Sequence, residues 1–212
     1  MKSALNTFLI LILAIGCAQI SSAQNSAPDT RGTTGIATLF ALDPLTQSLC
    51  LQDGGPGGSF YEGQTRNRCS DLNFNSYSAN GFSVGIEGGR EGVILDLGTT
   101  DALKAKYGYA ETVGQGQGFA SIYVKNGKAL ILKNYKTGEL QELAQSSDLF
   151  RSPADKSTSA PVKPGHVYLL RITDKFDKAF ELLAKVLVLA YMPGESVTVR
   201  WYLMSNNTTA KL

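Results

Sequence analysis

Ala120-Ser121-Ile122-Tyr123-Val124-Lys125-Asn126-Gly127-Lys128-Ala129-Leu130-Ile131-Leu132 is the stretch whose reading decides the fold. Asn126-Gly127 is the residue pair that best tolerates positive φ at both central positions of a tight turn, so the two apolar runs beside it form a two-residue hairpin. Counting outward from the turn pairs Lys125 with Lys128, Val124 with Ala129, Tyr123 with Leu130 and Ile122 with Ile131. Both faces carry apolar side chains, which predicts a hairpin sandwiched between layers rather than one lying at a sheet edge.

The chain continues in this style on both sides. Toward the C-terminus, Val197, Val199, Trp201 and Leu203 share one face while Thr198, Arg200 and Tyr202 share the other, the alternation of a half-buried strand. Residues 180–191 fit a helix through Phe180, Leu183, Leu187 and Tyr191, but the Pro193-Gly194 turn and β-branched Val186 and Val188 favour a hairpin with that strand. Residues 166–173 form a further candidate strand. Toward the N-terminus, residues 35–42 and 48–51 read as strands around the Asp43-Pro44 turn, and 82–86 and 93–97 as strands around Gly88-Gly89. The best helix candidate is 100–107, with Thr99 or Thr100 as its cap and Gly108 as its end. Residues 144–165 are rich in Ser, Pro, Asp, Lys and Thr and read as a mobile loop. The expectation is one mainly β domain over 35–204, a β-sandwich or open barrel of antiparallel hairpins with one short helix, followed by a tail at 205–212.

The first 23 residues read as a segment for export. Lys2 precedes an apolar run, Phe8-Leu9-Ile10-Leu11-Ile12-Leu13-Ala14-Ile15, and small residues end at Ser21-Ser22-Ala23, the pattern of a signal peptide cleaved after Ala23. That run is too short to span a bilayer, which takes roughly 20 apolar residues. Ala14-Ile15-Gly16-Cys17 resembles a bacterial lipobox, which makes Cys17 the alternative processing site, lipidated and anchored to the cell envelope. A polar leader, 24–34, follows. Secreted or periplasmic localisation is the expectation, with membrane contact only through a lipid on Cys17.

Export gives meaning to the cysteines. Of the three in the chain, only Cys50 and Cys69 remain for the folded domain, and a pair in an oxidising compartment reads as a disulfide. The bridge closes a loop that includes Gly54-Gly55-Pro56-Gly57-Gly58, costly to order without a staple. A zinc site would need more than these two thiols and the single histidine, His166. The formal net charge of +2 leaves no footprint for nucleic acid.

Motifs with chemical content are sparse. Asp96-Leu97-Gly98-Thr99-Thr100 resembles the phosphate-binding strand-turn of the actin and sugar-kinase superfamily, which implies a nucleotide site. The likeness covers five residues, that fold needs two large domains, and an exported chain meets little ATP, so a tight turn capping a helix is the reading adopted. Gly114-Gln115-Gly116-Gln117-Gly118 lacks the dinucleotide spacing and reads as a turn. Asp71-Leu72-Asn73-Phe74-Asn75 has oxygen side chains at calcium-loop spacing, but Ser76 replaces the required glycine and Phe82 the closing glutamate, so a half-buried strand is expected. His166 is the one imidazole for general-base work, with Asp174 or Glu195 as partners in sequence terms, and no nucleophile elbow accompanies it. Inside the stapled loop, Tyr61, Glu62, Arg66 and Arg68 are the candidate ligand-surface residues. No cofactor and no specific partner is implied. The functional expectation is a non-enzymatic binding or structural module that uses the stapled loop and the hairpin tips for recognition. A secreted hydrolase working through His166 or a carboxylate pair is the alternative.

Overall fold

A computed structural model describes residues 34–57, 69–109, 119–151 and 157–207. The processing sites Cys17 and Ala23, the glycine-rich turn at 114–118 and the loop candidates Tyr61, Glu62, Arg66 and Arg68 lie outside them.

Among the described residues the strands form three antiparallel sheets, which do not close into a barrel. Sheet A runs β1 (Thr34–Phe40), β12 (Ser196–Asn207), β11 (Glu181–Met192), β10 (His166–Asp174), β5 (Arg90–Thr99). Sheet B runs β2 (Ser48–Leu49), β3 (Leu72–Phe74), β4 (Gly81–Val84), β9 (Ser159–Pro161), and sheet C runs β6 (Ile122–Lys125), β7 (Lys128–Asn134), β8 (Glu139–Glu142). Among the described residues there are two helices, α1 (Thr100–Tyr107) and α2 (Ser146–Leu149).

Sheet A is the middle layer, because its strands are apolar on both faces. On β10, Tyr168, Leu170 and Ile172 enter a core shared with sheet B, while Val167 and Leu169 enter a second core shared with sheet C and the helices. The same division runs along β11, where Leu182, Ala184, Val186 and Val188 face sheet B and Leu183 faces sheet C. A strand buried on both sides reads as a continuous apolar run, which is why 180–191 looked helical as well as extended. It is a strand, bulged between Val188 and Ala190 in its ladder with β12. Sheets A and B are locked at Gly92, where a Cβ would meet the Val84 carbonyl oxygen at 2.2 Å. Only glycine allows that approach.

The β6–β7 hairpin has the register expected from its turn, with Ile122 opposite Ile131 and Lys125 opposite Lys128. Its placement differs from expectation: among the described residues β6 is an edge strand of sheet C, and its two faces are unequally covered. Ile122, Ala129 and Ile131 are buried, while Tyr123 is 49% exposed on the other face. Helix α1 is capped as the sequence indicates, with the Thr99 hydroxyl accepting from the Ala102 N–H and Gly108 left-handed at its end. The segment 144–165, expected as a loop, contributes α2 and β9. Packing and pairing explain it: Leu149 is buried in the sheet C core, and β9, itself only partly buried, pairs with β4. Strand β3 also departs from the half-buried pattern, since Asn73 is buried with Leu72 and Phe74, its Oδ1 accepting from the Ser70 hydroxyl.

Cys50 and Cys69 form the expected disulfide, with Cα atoms 4.8 Å apart. It anchors a wall of the sandwich, because Gly54 lies against the Trp201 ring so closely that a Cβ there would approach it to 2.7 Å. Reduction should lower the unfolding free energy by about 3 kcal/mol, the chain-entropy value for a loop of this size. Urea unfolding with and without reductant checks this, and an unchanged midpoint would contradict it.

Candidate functional site

A half-open groove of about 610 Å³ lies between the β6–β7 hairpin and the far strands of sheet A. Its roof is β6 and the turn, from Ser121 to Val124 and then Asn126 and Gly127. The floor is Glu181, Leu183 and Lys185 of β11 with Tyr202 and Met204 of β12, and Phe150, just past α2, closes one side. The hairpin tip, expected to serve recognition as a free tip, instead roofs this groove over sheet A.

Lys185 is the unusual member, an ammonium on the buried floor with 2% of the residue exposed. Burying a cation is costly unless its donors are met. Here Nζ donates to the Ala120 carbonyl at 2.5 Å and the Phe119 carbonyl at 3.3 Å, and it stands 4.4 Å and 5.1 Å from the ring centroids of Phe119 and Tyr202. These carbonyls and π faces hold the charge in place. Glu181 is oriented by the Arg171 Nε–H, which donates to its Oε1 at 2.6 Å, and the same guanidinium lies 5.5 Å from the Phe150 ring. The groove therefore joins aromatic and aliphatic walls to an ammonium and a carboxylate at fixed positions, a surface suited to a small amphipathic molecule.

The sequence reading missed Lys185 and Glu181. Their signal is two charges inside the otherwise apolar run 180–191, where a strand buried on both faces has no routine place for either.

A second constellation forms where β5 meets β10. Asp96 accepts from His166 Nδ1 at 2.7 Å, from Lys163 Nζ at 3.0 Å and from the Gly98 N–H at 2.9 Å. Burial raises the Asp96 pKa, but the hydrogen bonds from His166, Gly98 and Lys163 outweigh it and hold the carboxyl below its ordinary range. A carboxylate only accepts, so Nδ1 carries the proton of this hydrogen bond. The partner of His166 is thus Asp96. Asp174, one of the two expected from sequence, is instead the buried partner of Arg90 at 3.4 Å and accepts the N–H groups of Phe176 and Asp177. Beside this pair the Tyr168 hydroxyl donates to the Pro161 carbonyl and accepts from the Lys163 N–H. Burial first and the Asp96 charge second push its pKa well above the usual range. Asp96 and Thr99 of the strand-turn motif thus serve an ion cluster and a helix cap.

Asp71 is a third buried group, accepting from the Leu51 N–H at 2.9 Å and lying with the Cys50 and Cys69 sulfurs in a group whose atoms are within 4.8 Å of one another. Burial pushes its pKa up to about 6, against the lowering effects of the Leu51 N–H and Arg90.

Comparison with known proteins gives no match to a family model, a curated protein or a solved structure. Among the described residues no helix is long and apolar enough to cross a membrane.

The Asp71 shift sets a pH dependence of stability. Its folded pKa is raised above the ordinary value of 3.8, so the folded state holds the proton more tightly, and the resulting stability declines as pH rises from about 4 to about 6. Asp71→Asn should remove a decline of about 3 kcal/mol, at 1.36 kcal/mol per pKa unit. Chemical unfolding of both proteins at pH 4 and pH 7 measures it, and parallel pH profiles would count against the assignment.

Proposed function

We propose that this protein is an exported binding module whose ligand, a small amphipathic organic molecule, sits in the groove beneath the β6–β7 hairpin. The observation that carries the reading is the groove itself: a 610 Å³ concavity with aromatic walls and two fixed charges, a size and character typical of small-molecule sites. Export is supported by the pattern of residues 1–23 and by the Cys50–Cys69 bridge, since disulfides persist in oxidising compartments.

Two measurements test it. Mass spectrometry of protein recovered from a secretory host should find Gln24 at the N-terminus, or a lipid on Cys17 if that route is taken. Retention of Met1 would remove the export premise. Titration with anilinonaphthalene sulfonate, an aromatic body with one anionic group, should give saturable fluorescence that weakens at least tenfold in Val124→Trp, which fills the groove. Dye binding indifferent to that substitution would exclude the groove.

A second reading, a secreted hydrolase, draws on the Asp96–His166 hydrogen bond, which orients an imidazole for general-base work. It predicts an ester or glycoside hydrolysis lost in both His166→Ala and Asp96→Asn, found by screening chromogenic substrates. The binding reading expects no such activity.

A further inference from the structure

Strand β1 is the terminal strand of sheet A, and among the described residues its ladder runs on one side only, to β12. The direction of its backbone groups can be followed from the turn at its end. The Ala41 N–H donates inward to the Glu195 carbonyl at 2.8 Å, whereas the Phe40 N–H donates outward to the Thr46 carbonyl at 3.3 Å. Alternation along a strand then directs the N–H and C=O of Ile36 and Thr38 outward as well.

That outer side opens into a cleft of about 180 Å³, bounded by residues 36–39 on one wall and by Gly54, Gly55 and Pro56 on the other. Thr46, Ser48 and Leu49 complete its lining. The opposite wall is built rather than loose. The Cys50 N–H donates to the Gly55 carbonyl at 3.0 Å, the Gly54 N–H donates to the Cys50 carbonyl at 2.8 Å, and the disulfide pins the base of this turn.

Natural edge strands are guarded against pairing by lysine, proline, bulges or inward-pointing charge. Thr34-Gly35-Ile36-Ala37-Thr38-Leu39-Phe40 has no charge and no proline, its register with β12 is unbroken, and Ile36 is 66% exposed. The surroundings carry a sign. Half-buried Asp43 and exposed Asp53 are the only charged residues in 34–57, and exposed Glu195, whose carbonyl accepts from the Ala41 N–H, lies beside the Asp43 turn. Arg200, opposite Ile36 on β12, belongs by alternation to the face turned away from the Gly54 wall, since Val199 and Trp201 face it.

We infer that the outer edge of β1 takes an extended peptide segment as an added strand, with β-branched or apolar residues alternating and a basic residue flanking them. The Ile36 and Thr38 main-chain groups supply the ladder, the stapled 54–56 turn confines the incoming strand, and the acidic rim selects the cationic flank. This site is separate from the groove under the hairpin, so the two readings stand or fall independently.

The test uses the full chain and fluorescein-labelled Lys-Thr-Val-Thr-Val-Thr-Val-Lys, followed by anisotropy. Saturable binding is expected, weakened at least fivefold when both lysines are replaced by glutamate, and lost when alternate peptide nitrogens are methylated so that they cannot donate. Thr38→Pro removes the outward N–H while leaving the inward ladder of β1 intact and should weaken binding at least tenfold. Should that variant not fold, the methylated peptide on the unaltered protein still decides. Val124→Trp should leave peptide binding unchanged. Absence of saturable binding, or equal binding of the methylated peptide, would overturn the inference. So would a concentration-dependent dimer, seen by light scattering and dissolved by Thr38→Pro, because the edge would then belong to a second copy.

Discussion

Everything in this molecule follows from a five-stranded sheet that is apolar on both faces. A sheet with one apolar face needs one covering layer, but Val167-Tyr168-Leu169-Leu170-Arg171-Ile172 sends apolar side chains alternately to both sides and so requires two. Sheet B supplies one cover with Phe74, Phe82 and Leu72, all fully buried. Sheet C supplies the other with Ile122, Ala129 and Ile131, helped by Leu103 and Tyr107 of α1 and Leu149 of α2. Strand lengths then decide where cover runs out. Strands β11 and β12 have twelve residues each, while β6 has four and β7 seven, so sheet C cannot roof the whole face. The groove is the consequence of that mismatch, with half-buried Glu181 at its margin and Lys185 buried beneath the Phe119 and Ala120 carbonyls.

Much of this architecture was legible in the residues. The Asn126-Gly127 turn fixed a hairpin register to the residue because positive φ at two successive positions, 52° and 67°, leaves the flanking strands one way to pair. The Thr99 cap and Gly108 stop were equally readable, since each satisfies a backbone group by local chemistry. The disulfide was readable from cysteine count and the export pattern. What the residues did not disclose was which layer each strand joins. Apolar side chains on both faces of the hairpin suggested double cover, yet Tyr123 and Leu130 face outward, because a large aromatic residue is tolerated at a half-wet surface as readily as in a core. Segment 144–165 misled in the opposite direction. Its composition is that of a loop, but two apolar anchors, Leu149 and Val162, are enough to tie short elements to cores that other strands have already built.

The polar clusters show the same limit. His166 and Asp96 are seventy residues apart, and only the antiparallel pairing of β10 with β5 brings them to 2.7 Å. Asp174 and Glu195 were the nearer partners along the chain, but proximity in sequence carries little weight between residues on extended strands, where each step advances about 3.3 Å. Asp174 instead meets Arg90 because the two residues are direct partners in the β5–β10 register. Asp71 was read as part of a half-buried strand and is in fact fully buried near the disulfide, its charged form disfavoured by the low-dielectric surroundings. Its one strong compensation, the Leu51 N–H, ties the strand-side cysteine segment to the start of β3. The carboxyl and the disulfide thus hold the same two pieces of chain together.

This coupling bears on what the outer edge of sheet A can do. A strand edge recognises a partner only if its opposite wall stays in place while the partner docks, since ordering a glycine-rich turn at the moment of binding would consume most of what a few main-chain hydrogen bonds contribute. The 54–56 turn is ordered beforehand by the Cys50–Cys69 bridge and by its own hydrogen bonds to Cys50, while the Trp201 ring braces Gly54 from below and Gly35 of β1 from the same side. One indole therefore touches both walls of the cleft and sets their separation. A bulkier residue at Gly54 would have to displace that ring, and because Gly54 also has φ of 77°, it would be strained even where space allowed. The glycine richness that looks like looseness in the sequence is, in the folded chain, what lets the turn lie close enough to Trp201 to form a wall.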